Sequence, residues 1–179
     1  LEPDTGTVLF DGQSLLGLKP HQINQTGVSR VFQTPEIFDD MTLLENVTIP
    51  ALAKRDGSFR LNAWKAVRGE TEIHEAAHEC LADVGLAEKS QELARQLSRG
   101  DKRRLELAMC LVQDPKLLLL DEPTAGMSRA DTNNTIDLMR RIADQGVTMV
   151  VIEHDMHVVF SLAEKISVLA QGTVIAEDV

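Results

Sequence analysis

The sequence predicts an α/β fold with a mostly parallel sheet, antiparallel β hairpins and an inserted α-helical block. Two near-continuous apolar runs, KLLLLDE (Lys116 to Glu122) and VTMVVIEHD (Val147 to Asp155), read as parallel strands buried on both faces. The amphipathic stretch ADTNNTIDLMRRIADQG lies between them. It carries Ile136, Leu138, Met139 and Ile142 and stops at Gly146, as a crossover helix does. Upstream, residues 41–114 show mostly helical spacing.

The remaining elements follow in order. TGTVLFDGQSL (Thr5 to Leu15) places Asp11-Gly12 between apolar flanks, the turn signal of a hairpin. KPHQINQTG predicts a short helix with Pro20 in its first turn and Gly27 as its stop. VSRVFQ (Val28 to Gln33) is a brief strand, and TPEIFDD is the loop after it. Thr42 and Glu45 form the capping-box pattern of a helix start. TEIHEAAHECLADVGL puts Ile73, Ala76, Ala77, Cys80, Leu81 and Val84 on one helical face, with Gly85 as its end. His74 and His78, four apart, have the spacing of a metal pair but no evident third ligand, which favours exposed helix surface. HVVFSLAEK and ISVLAQG repeat the helix and strand, and TVIAED closes a final hairpin.

Composition narrows the function classes. The 179 residues, 43% apolar and 26% charged, suffice for one sizeable core. Eighteen basic against 28 acidic residues leave a net charge of −10, which opposes general attraction to nucleic acid or anionic lipid. Two widely spaced cysteines, Cys80 and Cys110, favour buried thiols in a reducing compartment over a disulfide framework. No apolar run approaches the roughly 20 residues that span a bilayer, and the first residues do not form a signal peptide. The expectation is a soluble, cytosolic chain.

Two features carry chemistry. Asp121 and Glu122 fall at the carboxyl end of a central parallel strand, the edge where open α/β sheets bind ligands, and His154 ends the neighbouring strand. Successive strand residues point to opposite sides, so the two acids have different jobs. One suits holding a magnesium ion and the other addressing a nucleophilic water, as phosphoryl transfer requires. In LSRGDKRRLELAMCL (Leu97 to Leu111), Ser98 starts a helix and Asp101 stands where it completes a capping box. Lys102, Arg103 and Arg104 crowd a first turn where the helix dipole disfavours cations unless an anion comes to that end. Ser98, Gly100 and the free amides there make a phosphate seat.

Gln33 in VFQTPEIFDDMTLLENV, LSRGD, LLLLDEP, AGMS and VIEHDM resemble, in order and spacing, the Q-loop, signature, Walker B, D-loop and H-loop of the ATP-binding subunits of ABC transporters. The resemblance covers essentially the whole chain. Within the family, RVFQTPEIFDDMTLLENV, the stretch through GSFRLNAWKAVRGE, DEPTAGM and IEHDM look most like the branched-chain amino-acid uptake branch, with urea-uptake relatives similar. The resemblance implies a P-loop NTPase-like core divided into residues 1–33, a helical subdomain over 34–112 and a catalytic core over 113–179.

It also implies roles. Asp121 would hold Mg2+ through water, Gln33 would contact magnesium and the attacking water, Glu122 would be the general base, and His154 would contact the γ-phosphate of ATP. Ser98, Arg99, Gly100 and Asp101 would address ATP held mainly by a second ABC ATPase subunit in a head-to-tail dimer, homo- or heterodimeric. The helical subdomain would dock on an integral-membrane permease at the cytoplasmic face of the membrane. A periplasmic solute-binding protein would serve the permease, those two would choose the solute, and no nucleic acid would be involved.

Four departures from the family pattern stand out. Arg99 and Asp101 replace a glycine and a glutamine of the signature; Asp101 would repel phosphate unless paired with a base such as Arg104. Ser128 replaces the usual D-loop aspartate. No GxxxxGK[ST] occurs in the 179 residues, and no aromatic A-loop residue is evident, so the sequence resembles the downstream part of a cassette. The missing loop would also leave apolar sheet surface uncovered. The alternatives are a fragment that acts only in binding or assembly, or a soluble ABC protein not tied to transport.

Overall fold

The computed structural model describes residues 3–32, 35–56 and 66–178. The first hairpin pairs β1 (Leu9–Phe10) with β2 (Gln13–Ser14) around Asp11 and Gly12, whose φ angles of 48° and 76° are those of a tight hairpin turn. Helix α1 (Pro20–Gln25) follows. Its entry is fixed by the Lys19 amide donating to Gln22 Oε1 at 2.9 Å. Gly27 ends it at φ 99°, and a Cβ there would press on Lys116 at 3.2 Å, so the stop also seats the chain for the next strand.

Three parallel strands form the central sheet in the order β3 (Val28–Val31), β4 (Leu117–Asp121), β5 (Thr148–Ile152). Leu119 stands beside Arg30 on one side and Val150 on the other, and Asp121 pairs with Ile152. The crossover from β4 to β5 is α5 (Arg129–Asp144), whose Ile136, Leu138, Met139 and Ile142 are buried as its spacing predicts. After α6 (Met156–Leu162), β6 (Ile166–Ala170) and β7 (Thr173–Asp178) make an antiparallel hairpin that forms its own two-stranded sheet.

Between β3 and β4 run α2 (Leu43–Asp56), α3 (Ala66–Asp83) and α4 (Arg99–Leu111), with short 3-10 turns at Ala87–Lys89 and Ala94–Gln96. The Thr42–Glu45 box forms in full: Glu45 Oε2 accepts from the Thr42 amide at 2.8 Å, and Thr42 Oγ1 accepts from the Glu45 amide at 3.2 Å. On α3, Ile73, Ala77 and Leu81 are buried with Val84 just beyond the helix end, while Ala76 and Cys80 lie at the margin and His74 and His78 are exposed. Residues 38–43 are stitched back onto the segment before α4, with Leu43 N to Glu92 O at 3.1 Å and Ala94 N to Met41 O at 2.9 Å. The core runs without a break from α3 through α2 and α4 to the packed face of the sheet, with Leu43, Leu81, Leu105, Leu118 and Leu120 fully buried.

Two expectations fail in an instructive way. The parallel strands are not buried on both faces. Leu118 and Leu120 face the helices, but the opposite face carries Val150 at 50% and Ile152 at 62% exposure. Among the described residues no element covers that face, so the apolar composition of β5 exceeds what its surroundings bury. Strand β4 also ends at Asp121 rather than Glu122. Glu122 has φ 45°, a left-handed conformation, so the two acids diverge through a turn and not through strand alternation.

Candidate active site

The carboxyl edge of the sheet gathers Asp121, Glu122, Glu153 and His154. Asp121 closes β4 on the open face, where its Oδ2 meets Arg30 Nη2 of β3 at 3.3 Å. Arg30 in turn lies over the Phe32 ring, 5.1 Å from its centroid. Glu122 turns the other way and its Oε1 lies 3.3 Å from His154 Nδ1. A protonated imidazole and the carboxylate form an ion pair at this distance. The His154 side chain is 75% exposed. Glu153 plays a structural part. Its Oε1 accepts from the Thr124 amide at 3.1 Å and from the Thr124 hydroxyl at 2.6 Å, tying the turn after Glu122 to the end of β5.

Asp121 fits a hard divalent cation. It is a carboxylate at a strand end, the donor type such a cation takes, and a cation there would have to displace or share the Arg30 contact to its Oδ2. Gln33 lies outside the described residues.

The signature segment is arranged differently from its sequence reading. Ser98 caps α4, its Oγ accepting from the Asp101 amide at 3.1 Å. The box is one-sided, because the Asp101 carboxylate turns to Lys89 Nζ at 2.7 Å and to Arg104 Nη1 at 3.5 Å. That pairing meets the condition that Asp101 be neutralised, with Lys89 as the nearer partner; the Asp101 hydrogen bond holds the Lys89 ammonium above its usual pKa. The three cations of the first turn need no external anion. Lys102 reaches Asp39 at 2.8 Å, Arg104 shares Asp101, and Arg103 is buried. Their charge is met within the chain, which leaves the exposed Arg99 beside the Ser98 cap and the buried Gly100. Gly126 after the turn has φ 70°, and a Cβ there would run into the Arg99 guanidinium. Arg99 therefore leans on the D-loop of its own chain. Ser128 caps α5: its Oγ accepts from the Asp131 amide at 3.2 Å and donates to Asp131 Oδ2 at 2.7 Å.

Sequence reasoning missed the buried pair that joins these parts. Arg103 and Glu106, both 4% exposed, sit 2.7 Å apart on α4. The guanidinium also donates to the carbonyls of Phe32, Asp121, Glu122 and Pro123. The available signal was the i, i+3 spacing of Arg103 and Glu106 in a helix whose other inward positions are apolar.

The family model described as ABC transporter matches residues 1–125, well over half of the chain. The chain belongs to the ABC transporter family. This ABC subunit is 34% identical over 180 residues to the high-affinity branched-chain amino acid transport ATP-binding protein BraF of Pseudomonas aeruginosa, covering 98% of its own length and 71% of that protein. It is 36% identical over 179 residues to LivG of Escherichia coli strain K12, an ATP-binding protein of the same description, covering 98% and 70%. Its fold matches an ATP-binding cassette of an ABC transporter in its ADP conformation, with TM-score 0.84, 28% identity, and 99% and 70% coverage. A dimeric cassette in a post-hydrolysis state bound to ADP and Pi matches at TM-score 0.80 and 26% identity, with 99% and 74% coverage. The chain is thus the ATP-binding component of an ABC transporter, and no described helix is long and apolar enough to cross a membrane.

Proposed function

We propose that the Asp121–Glu122–His154 edge hydrolyses ATP when joined to a phosphate-binding GxxxxGK[ST] loop, and that the subunit built on it powers the uptake of branched-chain amino acids. The observation that carries the reading is the divergence of two adjacent acids. Asp121 is turned to a cation and Glu122 to an imidazole, which gives a charge-holding carboxylate beside a base. Glu122 takes the proton of the attacking water. His154 holds that carboxylate through Nδ1, and as imidazolium offers its Nε2 proton to a γ-phosphate oxygen. Magnesium, when bound, supplies the divalent charge that screens the phosphates; Asp121 and Gln33 are the residues that would hold it.

The subunit works in a head-to-tail dimer, the second copy or a sister chain presenting its signature Ser98, Arg99, Gly100 and Asp101 to this chain's nucleotide. The dimeric cassette among its structural neighbours supports this. Residues 34–112 form the lobe that docks on the permease at the cytoplasmic face of the membrane, with 1–33 and 113–179 as the flanking core, and a solute-binding protein delivers the cargo. The printed function of BraF and LivG supports the choice of solute. Co-expression of the tagged chain with the permease subunits of a branched-chain importer tests the assignment. Recovery of those membrane subunits with the tagged chain is the expected result. Recovery with ribosomes or DNA and no membrane subunit would overturn it.

A further inference from the structure

Arg103 makes more contacts than an ordinary buried ion pair needs. Its Nε donates to Pro123 O at 3.2 Å, and its Nη2 donates to both Asp121 O and Glu122 O at 3.2 Å. Its Nη1 donates to Phe32 O and to Glu106 Oε2. Glu106 closes the circuit, its Oε1 accepting from the Phe32 amide at 3.0 Å. Three consecutive carbonyl oxygens converging on one point repel one another, and a planar cation with several fixed donors at their focus removes that repulsion.

The middle carbonyl belongs to Glu122, whose φ of 45° is unfavourable for a residue with a Cβ and persists only where the surroundings hold it. Those surroundings grip it from both sides. The Glu122 amide donates to Ile152 O on β5 at 2.9 Å, and its carbonyl is taken by Arg103 on α4. With both peptide groups pinned, the Cα–Cβ direction of Glu122 is set, and the side chain reaches His154.

We propose that Arg103, seated by Glu106, is a positioning residue that aims the Glu122 carboxylate and registers Phe32, the residue before Gln33, against it. The consequence for catalysis rests on the reading of Glu122 as the base, but the positioning itself does not. A buried ion pair that served stability alone would be replaceable by apolar groups of like shape at little cost. Burial pushes the Glu106 carboxyl up while Arg103 and the Phe32 amide pull it back, which matches a pair held together by its bonds.

Hydrogen exchange on the 179-residue chain separates the two roles. In Arg103→Met/Glu106→Leu, the amides of Thr124, Ala125 and Met127, which bond within the turn or to Glu153, are expected to exchange about tenfold faster, and those of Leu118 to Leu120 to keep the parent rate. Exchange of the turn within about twofold of the parent in the folded double variant would overturn the proposal. Arg103→Lys is the second variant. It keeps the charge but has no fork, so it is expected to leave the turn about threefold faster than the parent, and full protection would likewise overturn the proposal. Neither measurement involves ATP, so a failure of the hydrolytic reading leaves it intact.

Discussion

Asn46 offers the sharpest test of how the segment after Gln33 is anchored. Its side chain is fully buried at the start of α2. The amide oxygen accepts from the Phe38 N–H at 2.8 Å, and the amide nitrogen donates to Phe38 O at 3.0 Å, Thr42 O at 2.9 Å and Met41 O at 3.4 Å. In Asn46→Ala the three carbonyls keep backbone partners, because Met41 N reaches Phe38 O, Ala94 N reaches Met41 O and Asn46 N reaches Thr42 O. Among the described residues, the Phe38 amide is the group that loses its acceptor. An orphaned amide costs about 1–3 kcal/mol, and each lost bond to an already satisfied carbonyl adds toward the low end of about 0.5–1.5 kcal/mol. Phe38 is 47% exposed, so water recovers part of the first cost. The expected loss is about 3 kcal/mol, or roughly 6–12 °C in Tm for a chain of this size. Differential scanning calorimetry reads the Tm, and hydrogen exchange over residues 36–44 reads the local release. A Tm within about 2 °C of the parent with unchanged exchange would refute the claim that Asn46 anchors this strap.

Three further outcomes are expected. Ser128→Ala lowers stability by about 1 kcal/mol by urea unfolding, whereas Ser128→Asn, which both donates and accepts, recovers most of it; equal stability of the alanine variant would deny Ser128 its capping role. Burial raises the thiols of Cys110 to about 12 and Cys80 to about 11, so both resist iodoacetamide at pH 8 in the folded chain and react once it is unfolded; rapid labelling of Cys110 in the native state would contradict its burial. The third concerns pH. Burial raises the Glu106 carboxyl above 4.5, so its contribution to stability is present below that value and is lost as pH rises through the folded pKa. Arg103→Met removes the main opposing influence and leaves Glu106 facing the Phe32 and Glu36 amides and the Cys110 thiol, so the variant's deficit against the parent grows as pH rises above 4.5; a deficit independent of pH would count against an ionised Glu106.

The sequence disclosed local structure wherever one residue type decides it. The Asp11-Gly12 turn, the Thr42–Glu45 box, the Ser98 cap and the apolar stripe of α3 all stand as read, because each depends on neighbours within a few residues. The strand pair behind Asp121 and His154 was legible for the same reason, since long apolar runs ending in acids permit few alternatives. What was hidden depends on distant chain. Lys102, Arg103 and Arg104 look alike in sequence, yet one meets Asp39, one is buried under four carbonyls and one shares Asp101 with Lys89. No local rule assigns those partners, and the dipole argument that asked for an external anion failed because the fold supplies its own. The Arg30–Asp121 pair was invisible for a similar reason, 91 positions separating its members.

The central claim is that Glu122 is the base of a hydrolytic site whose phosphate loop is not among these 179 residues. Mg2+-dependent ATP hydrolysis, measured on the 179-residue chain and on the same chain with a GxxxxGK[ST] strand-loop-helix segment joined ahead of Leu1, tests it most directly. The first is expected to show no turnover. The second is expected to bind and hydrolyse ATP, with Glu122→Gln keeping the binding and losing at least about a hundredfold in rate, the scale on which a general base acts. Robust turnover by the 179 residues alone, or undiminished hydrolysis by the Glu122→Gln variant, would contradict the account.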